Sequence, residues 1–244
     1  RKGASVDTSQ TEMMHNASAL AAVMVDMGEA HGMICGKVGR FDKHFKVLHQ
    51  VLGAQTPDTH VSSVCVLLLP TGPLFLADAF LTVDPTAAEI VATTETSMDF
   101  VRQFGIKPKV ALLSHSNFGT SSVPQASKMR EASEVLRERH PGEEIEGEMH
   151  AYTAMNEALR KTMYQDSKLT GQPNLLIMPN LDTANITLGL IRSLTDSLLV
   201  GPFVHGLAKP AHIVIPSVSA RGMFNMTAVT AAEVASYCDI NDCD

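Results

Sequence analysis

Between Lys109 and Ser122 the chain reads KVALLSHSNFGTSS, an apolar run that breaks into Ser, His, Asn, Gly and Thr with no charged carboxylate, Lys or Arg among them. Small hydroxyls and backbone N–H groups at the end of a strand can hold a phosphate or carbonyl oxygen without any side-chain charge. Pro179–Asn185 (PNLDTAN) and Gly206–Arg221 (GLAKPAHIVIPSVSAR) have the same character. In open α/β sheets ligands settle outside the carboxyl ends of strands, where loops lead into helix N-termini, so three such loops suggest one cleft edge. Each loop taken alone is equally explained by caps and turns.

Other chemical signals are weaker. His115 lies between Ser114 and Ser116, but adjacent residues of an extended strand point to opposite faces and no carboxylate follows in the loop. It reads as an ordinary polar histidine. No G-x-G-x-x-G and no G-x-S-x-G occurs, so neither a dinucleotide fingerprint nor a nucleophile elbow is supported. Cys35, Cys65, Cys238 and Cys243 lack the paired spacing of a zinc site. They read as reduced thiols of a cytoplasmic protein, and no metal site is expected. The run REASEVLRERHPGEE reads as a solvated helix face.

The elements that must carry these loops alternate between short apolar strands and amphipathic helices. Helices are expected over 17–27, over 45–52 closed by Gly53, and after Asp84-Pro85-Thr86, with Asp84 as N-cap and Pro85 in the first turn. In that last helix Ala87, Ile90, Val91, Thr94, Met98 and Val101 recur at helical spacing and give one buried face. Residues 61–79 read as two strands joined at Pro70-Thr71-Gly72-Pro73. Strands at 110–113, near Ile145, at 174–179, at 198–204 and at 211–215 follow. Between and after them come helices over ASKMREASEVLRERH, from about Tyr152, from 182 to 194, and from 219 to about Tyr237. This order predicts an α/β fold with a mostly parallel sheet sandwiched by helices.

Bulk properties agree with a globular domain. The 244 residues are 45% hydrophobic, enough for a sizeable core. Lys and Arg total 19 against 26 Asp and Glu, a net charge of −7, which argues against nucleic acid and anionic membrane as main partners. The longest apolar region, 61–83, is broken by PTGP and carries Asp78, so it does not read as a membrane span. The opening RKGASVDTSQTE has no apolar core of a secretory signal.

The motifs LFLADAFLTVDPTAAEI, FGIKPKVALLSHSNFGTSS, KMREA, EGEMHA, NLLIMPNLDTANI, VGPFVHGLAKPAHI and FNMTAV resemble the phosphate acetyl/butyryl-transferase family. SNFGTSS together with VMVDMGEAHGMICG is most similar to the carboxyl-terminal phosphotransacetylase-like domain of bacterial NADP-dependent malic enzymes. The resemblance covers almost the whole chain. It implies a phosphotransacetylase-like fold of isocitrate/isopropylmalate dehydrogenase-like architecture. It further implies a mainly helical, truncated amino-terminal part over 1–60 and an α/β part over 61–244 that carries the ligand cleft. Malic-enzyme domains of the same chain, with NADP and a divalent metal, would lie upstream.

Against the family pattern, the position where active transferases carry Arg or Lys in the serine loop is Phe118. Their Ser-Arg pair falls on Ile215 and Pro216, their proposed basic carboxylate on Gly222, and a further Arg on Lys46. Charge-assisted hydrogen bonds to phosphate, each contributing about 1.5–3 kcal/mol, thus lose their donors. A missing general base alone costs about 10²–10⁴ in rate. The resemblance therefore implies no catalytic residues. It implies instead a regulatory, oligomerising domain binding acetyl-CoA or a related acyl-CoA as an effector, with an active acetyltransferase as the alternative and a purely structural module as a third reading. Ser114, Ser116, Asn117, Gly119 and Thr120 would face the acyl-pantetheine end, with Phe118 as an apolar wall. Lys209, Pro216, Ser217, Arg221 and Asn225 would lie along the coenzyme. A homodimer or higher homo-oligomer is expected.

Overall fold

In the computed structural model, which describes residues 13–241, the first long element is helix α1 (Ala17–Met27). The Asn16 side chain accepts from the N–H groups of Ser18 and Ala19, and Gly28, at φ 82°, closes the helix in the left-handed conformation that glycine adopts without strain. Strand β1 (Met33–Gly36) follows. It lies inside a glycine-punctuated stretch where four residues are too few for any hydrophobic period to show. Helix α2 (Phe41–Val51) starts four residues before the expected Phe45; its N-cap Arg40 offers no capping side chain, which is why the start is hidden in the sequence.

Strands β2 (Ser62–Leu69) and β3 (Gly72–Ala77) form the expected antiparallel pair. Helix α3 (Ala87–Gln103) is capped by Thr86 rather than Asp84: Thr86 and Glu89 make a reciprocal capping box, while Asp84 pairs with Lys128. Ile90, Val91, Thr94, Met98 and Val101 are buried as expected, joined by Phe100, whereas Ala87 is only half-buried. Next come β4 (Lys109–Leu113), α4 (Pro124–Arg139) and β5 (Glu144–Met149). The helix expected from Tyr152 is two short ones, α5 (Ala151–Met155) and α6 (Glu157–Met163), because Asn156 leaves the helical conformation and caps the second. Strand β6 (Leu175–Ile177) and helix α7 (Leu181–Thr195) complete this run.

Residues 62–199 form one unit. Within it the strands lie in the order β5-β4-β6-β3-β2, parallel except for the β2–β3 hairpin. Val110, Ala111 and Leu112 of the inner strand β4 are fully buried, as a strand covered on both faces requires. Phe75 and Phe100 meet edge to face at 6.1 Å between sheet and helix, a contact that adds about 0.5–1.5 kcal/mol beyond area burial.

The second unit joins the start of the chain, up to residue 61, to residues from 200 onward. It holds most of β7 (Leu198–His205), then β8 (Ala211–Val214) and helix α8 (Ala220–Asn241). The chain passes from one unit to the other after residue 61 and returns after residue 199. Strand β1 pairs in parallel with β8. Behind that pair a buried cluster forms. The backbone N–H of Val204 donates to His212 Nδ1 at 3.1 Å, so the proton of His212 sits on Nε2 and is donated to Glu233 at 2.7 Å. His205 lies beside them, its ring 6.1 Å from that of His212. Among the described residues, no helix is long and apolar enough to cross a membrane.

Candidate functional site

The serine loop leaves the buried end of β4, and its backbone is fastened to β5. Ser114 N–H donates to Met149 O and Phe118 N–H to Glu148 O, both at 2.8 Å. Along β4 and β5 the register slips by one residue: Leu112 faces Gly147, Leu113 faces Met149, and Glu148 has no opposite number. That bulge frees Glu148 from the ladder. Its carboxylate points into the loop, where Oε1 accepts from Ser116 Oγ at 2.6 Å and from Gly119 N–H at 2.9 Å. Ser116 and Glu148 are both fully buried. The short Ser–Glu bond thus lies closed off from solvent.

Helix α4 supplies the cation. Arg130 Nη1 stands 3.9 Å from Glu148 Oε1 and Nη2 donates to Ser121 O at 3.0 Å. The guanidinium lies over Gly119, where an added Cβ would come within 3.0 Å of Nη1 at a φ of 89°. The positive φ favours glycine there, whereas the arginine end could shift aside. Further along the helix Arg137 pairs with buried Glu146 at 2.9 Å. Two arginines of the run expected to be a solvated face thus turn inward.

The remaining loop candidates are held in place as well. Asn117 Oδ1 accepts from the His150 N–H at 2.9 Å and its amide lies 3.3 Å from His150 Nδ1. Thr120 Oγ1 accepts from the Asn117 N–H at 3.1 Å. Phe118, at a φ of 46°, stacks on Tyr164 with ring centroids 4.9 Å apart. Ser114 Oγ is buried and has no hydrogen-bond partner among the described residues. Gly119 and Thr120 are exposed, and Ser114, Asn117 and Phe118 are half-buried. His115 is exposed, 3.4 Å from Ser121 Oγ, as an ordinary polar histidine.

At the neighbouring strand end, Asp78 accepts from the N–H groups of Phe80, Leu81 and Thr82 and from the hydroxyls of Ser63 and Thr82. In the 179–185 loop Asn180 caps α7 by accepting from the Thr183 N–H at 2.9 Å. An open cavity of about 330 Å³ lined by Phe80, Asp182, Asn185 and Ile186 adjoins it. The capping explanation holds for this second loop.

In the other unit, Lys209 donates to Val25 O at 2.7 Å and to Asp26 O at 3.3 Å. The ammonium that was expected along a coenzyme therefore caps the C-terminus of α1. Lys37 holds Pro216 O and Val218 O at 3.3 and 3.2 Å. Ser217 and Arg221 are exposed and Asn225 is half-buried one turn into α8. Among the described residues, no group of three or more His, Cys, Asp or Glu is placed to hold a metal ion. Cys35 and Cys65 are free thiols, and burial pushes Cys65 far above the usual thiol range. Cys243 lies outside the described residues.

Sequence reasoning missed Glu148, Arg130 and Asp78. Glu148 sits in the quoted motif EGEMHA, in a strand EIEGEM that also carries Glu144 and Glu146, so no signal in the sequence singles it out.

Comparisons with known proteins place these features. The family model described as phosphate acetyl/butaryl transferase matches residues 1–231. The NADP-dependent malic enzyme of Escherichia coli is 42% identical over 234 residues, 96% of this chain and 31% of that protein. The NAD-dependent malic enzyme of Rhizobium meliloti is 42% identical over 233 residues, 96% of this chain and 30% of that protein. The chain thus spans about a third of the length of these relatives. The phosphate acetyltransferase of Paracoccus denitrificans is 32% identical over 240 residues, covering 95% of this chain and 75% of that one. A phosphotransacetylase structure from Streptococcus pyogenes superposes with a TM-score of 0.85 at 26% identity, over 92% of this chain and 69% of that chain. The chain belongs to the phosphate acetyl/butyryl transferase family and corresponds to the carboxyl-terminal region of NADP-dependent malic enzymes.

Proposed function

We propose that this chain is the non-catalytic, regulatory and oligomerising domain of a cytoplasmic malic enzyme, and that it binds acetyl-CoA as an allosteric inhibitor. The parent chain would convert malate to pyruvate by oxidative decarboxylation, using NADP and a divalent metal held in its malic-enzyme part. The observation that carries this reading is the inward turn of the serine loop. Ser116 Oγ and the Gly119 N–H both donate to Glu148 and are turned away from a ligand at the loop rim. Phe118 stands where active relatives carry a cation and stacks on Tyr164. The exposed rim of Gly119 and Thr120, with the half-buried face of Phe118, suits an uncharged acyl-pantetheine end. Arg221, exposed at the start of α8, is the residue this reading assigns to a phosphate of the coenzyme.

Regulation at a distance needs two states that differ in affinity for the effector. A contact between copies of the chain is the element assigned to this role. Leu20 and Met27 of α1 and Phe224 of α8 are exposed apolar side chains that support it. Calorimetric titration with acetyl-CoA should give saturable binding that Arg221→Glu weakens without unfolding the chain. A phosphorolysis assay with acetyl-CoA and phosphate should show no turnover. Clear turnover favours the acetyltransferase, and silence at millimolar acetyl-CoA favours a structural module.

A further inference from the structure

We propose that Lys37 is a positioning residue for the effector: its side chain sets the loop between β8 and α8, and with it Pro216, Ser217 and Arg221, in the shape that would receive the coenzyme. The ligand rests on the acyl-CoA reading; the hold on the loop stands on geometry alone. Lys37 follows the last residue of β1 at a φ of 70°, between Gly36 at 102° and Gly39 at 100°. Residues other than glycine are uncommon in that region, and strain of this kind collects where a side chain is put to use. An added Cβ on Gly36 would collide with Val214 O, so the ends of β1 and β8 lie closer than a side chain would permit. The Lys37 N–H donates to Val214 O at 3.2 Å and carries the pairing one residue past β1. From there Nζ crosses the turn and donates to Pro216 O at 3.3 Å and to Val218 O at 3.2 Å. Those two carbonyls bracket exposed Ser217, and the turn closes on itself where the Val218 N–H donates to Ile215 O at 3.0 Å. Ser219 Oγ then accepts from the Gly222 N–H at 3.0 Å, in the first turn of the helix that carries Arg221. The near end of this hold is anchored as well. His44 Nε2 donates to Val38 O at 2.8 Å, since a carbonyl can only accept, and its Nδ1 lies 2.8 Å from Ser18 Oγ of α1. Lys37 therefore fixes the coenzyme loop to the end of β1 and touches no ligand itself.

The test joins amide hydrogen exchange to calorimetric titration of the 244-residue chain with acetyl-CoA. Lys37→Met keeps the stem and removes the donor, whereas Lys37→Arg keeps a donor on a stem of similar reach. In Lys37→Met the Val218 amide should exchange about fivefold faster, the factor that one net hydrogen bond contributes, and the dissociation constant for acetyl-CoA should rise about as much. Lys37→Arg should recover most of both. Should Lys37→Met fail to fold, Lys37→Gly, which adopts this φ without strain, takes its place in the same comparison. Unchanged Val218 exchange in the folded variant overturns the proposal. So does an unaltered acetyl-CoA affinity beside faster exchange, or an affinity loss that Lys37→Arg leaves in place. If the unaltered chain binds no acetyl-CoA, the sensor reading fails by itself, and exchange alone then decides whether Lys37 sets the loop.

Discussion

Acidification should loosen the unit built from the two ends of the chain, and His205 is the reason. Burial holds its pKa down from the usual 6.5 to about 4, with Glu233 pulling upward and His212 downward. The folded chain therefore keeps this ring neutral while the unfolded chain protonates it below 6.5. The stability it confers is complete above the unfolded value and falls away as the pH drops toward the folded one. Linkage over that interval gives a loss of about 2 kcal/mol between pH 7 and pH 5. Glu233 titrates lower: burial raises its pKa, but the hydrogen bond from His212 outweighs this and holds it below its usual 4.5, outside that window. Urea unfolding followed by circular dichroism, suited to a chain with no Trp, would compare the unaltered chain with His205→Gln at several pH values. The other histidines are common to both and cancel. The stability gap between the two should close by about 2 kcal/mol on going from pH 7 to pH 5. A gap that stays constant over that range refutes the assignment.

Two further substitutions test packing roles. Arg160, fully buried, donates to the carbonyls of Ala154, Leu169 and Gly171 at 2.6, 2.9 and 2.8 Å. Arg160→Met leaves all three without that donor and should cost about 3 kcal/mol or more in urea unfolding; a change below about 1 kcal/mol would mean the carbonyls find other donors. Lys209→Met removes the cap on α1 and should cost about 1 kcal/mol while leaving acetyl-CoA affinity unchanged; weakened affinity would restore its expected place beside the coenzyme.

Strongly periodic segments were legible from the chain alone. The bounds of α1 follow from Asn16 and Gly28, and the β2–β3 hairpin from its Pro-Gly turn. The misses have local causes. Strand β1 is four residues long between glycines, and α2 begins at an arginine that caps nothing. For the serine loop, sequence gave the donors and hid the acceptor. Glu148 lies 32 positions from Ser116, and only the pairing of β4 with β5 brings them together. Arg130 belongs to a run that looked solvated, and nothing in its spacing separates the inward arginines from the outward ones.

The slipped pairing at the end of β5 has one more consequence. Losing a single residue there would straighten the ladder and withdraw the carboxylate from the turn in the same event. Ser116 Oγ and the Gly119 N–H would then lose their acceptor although residue 148 itself were unchanged, and a comparison restricted to point changes would overlook it.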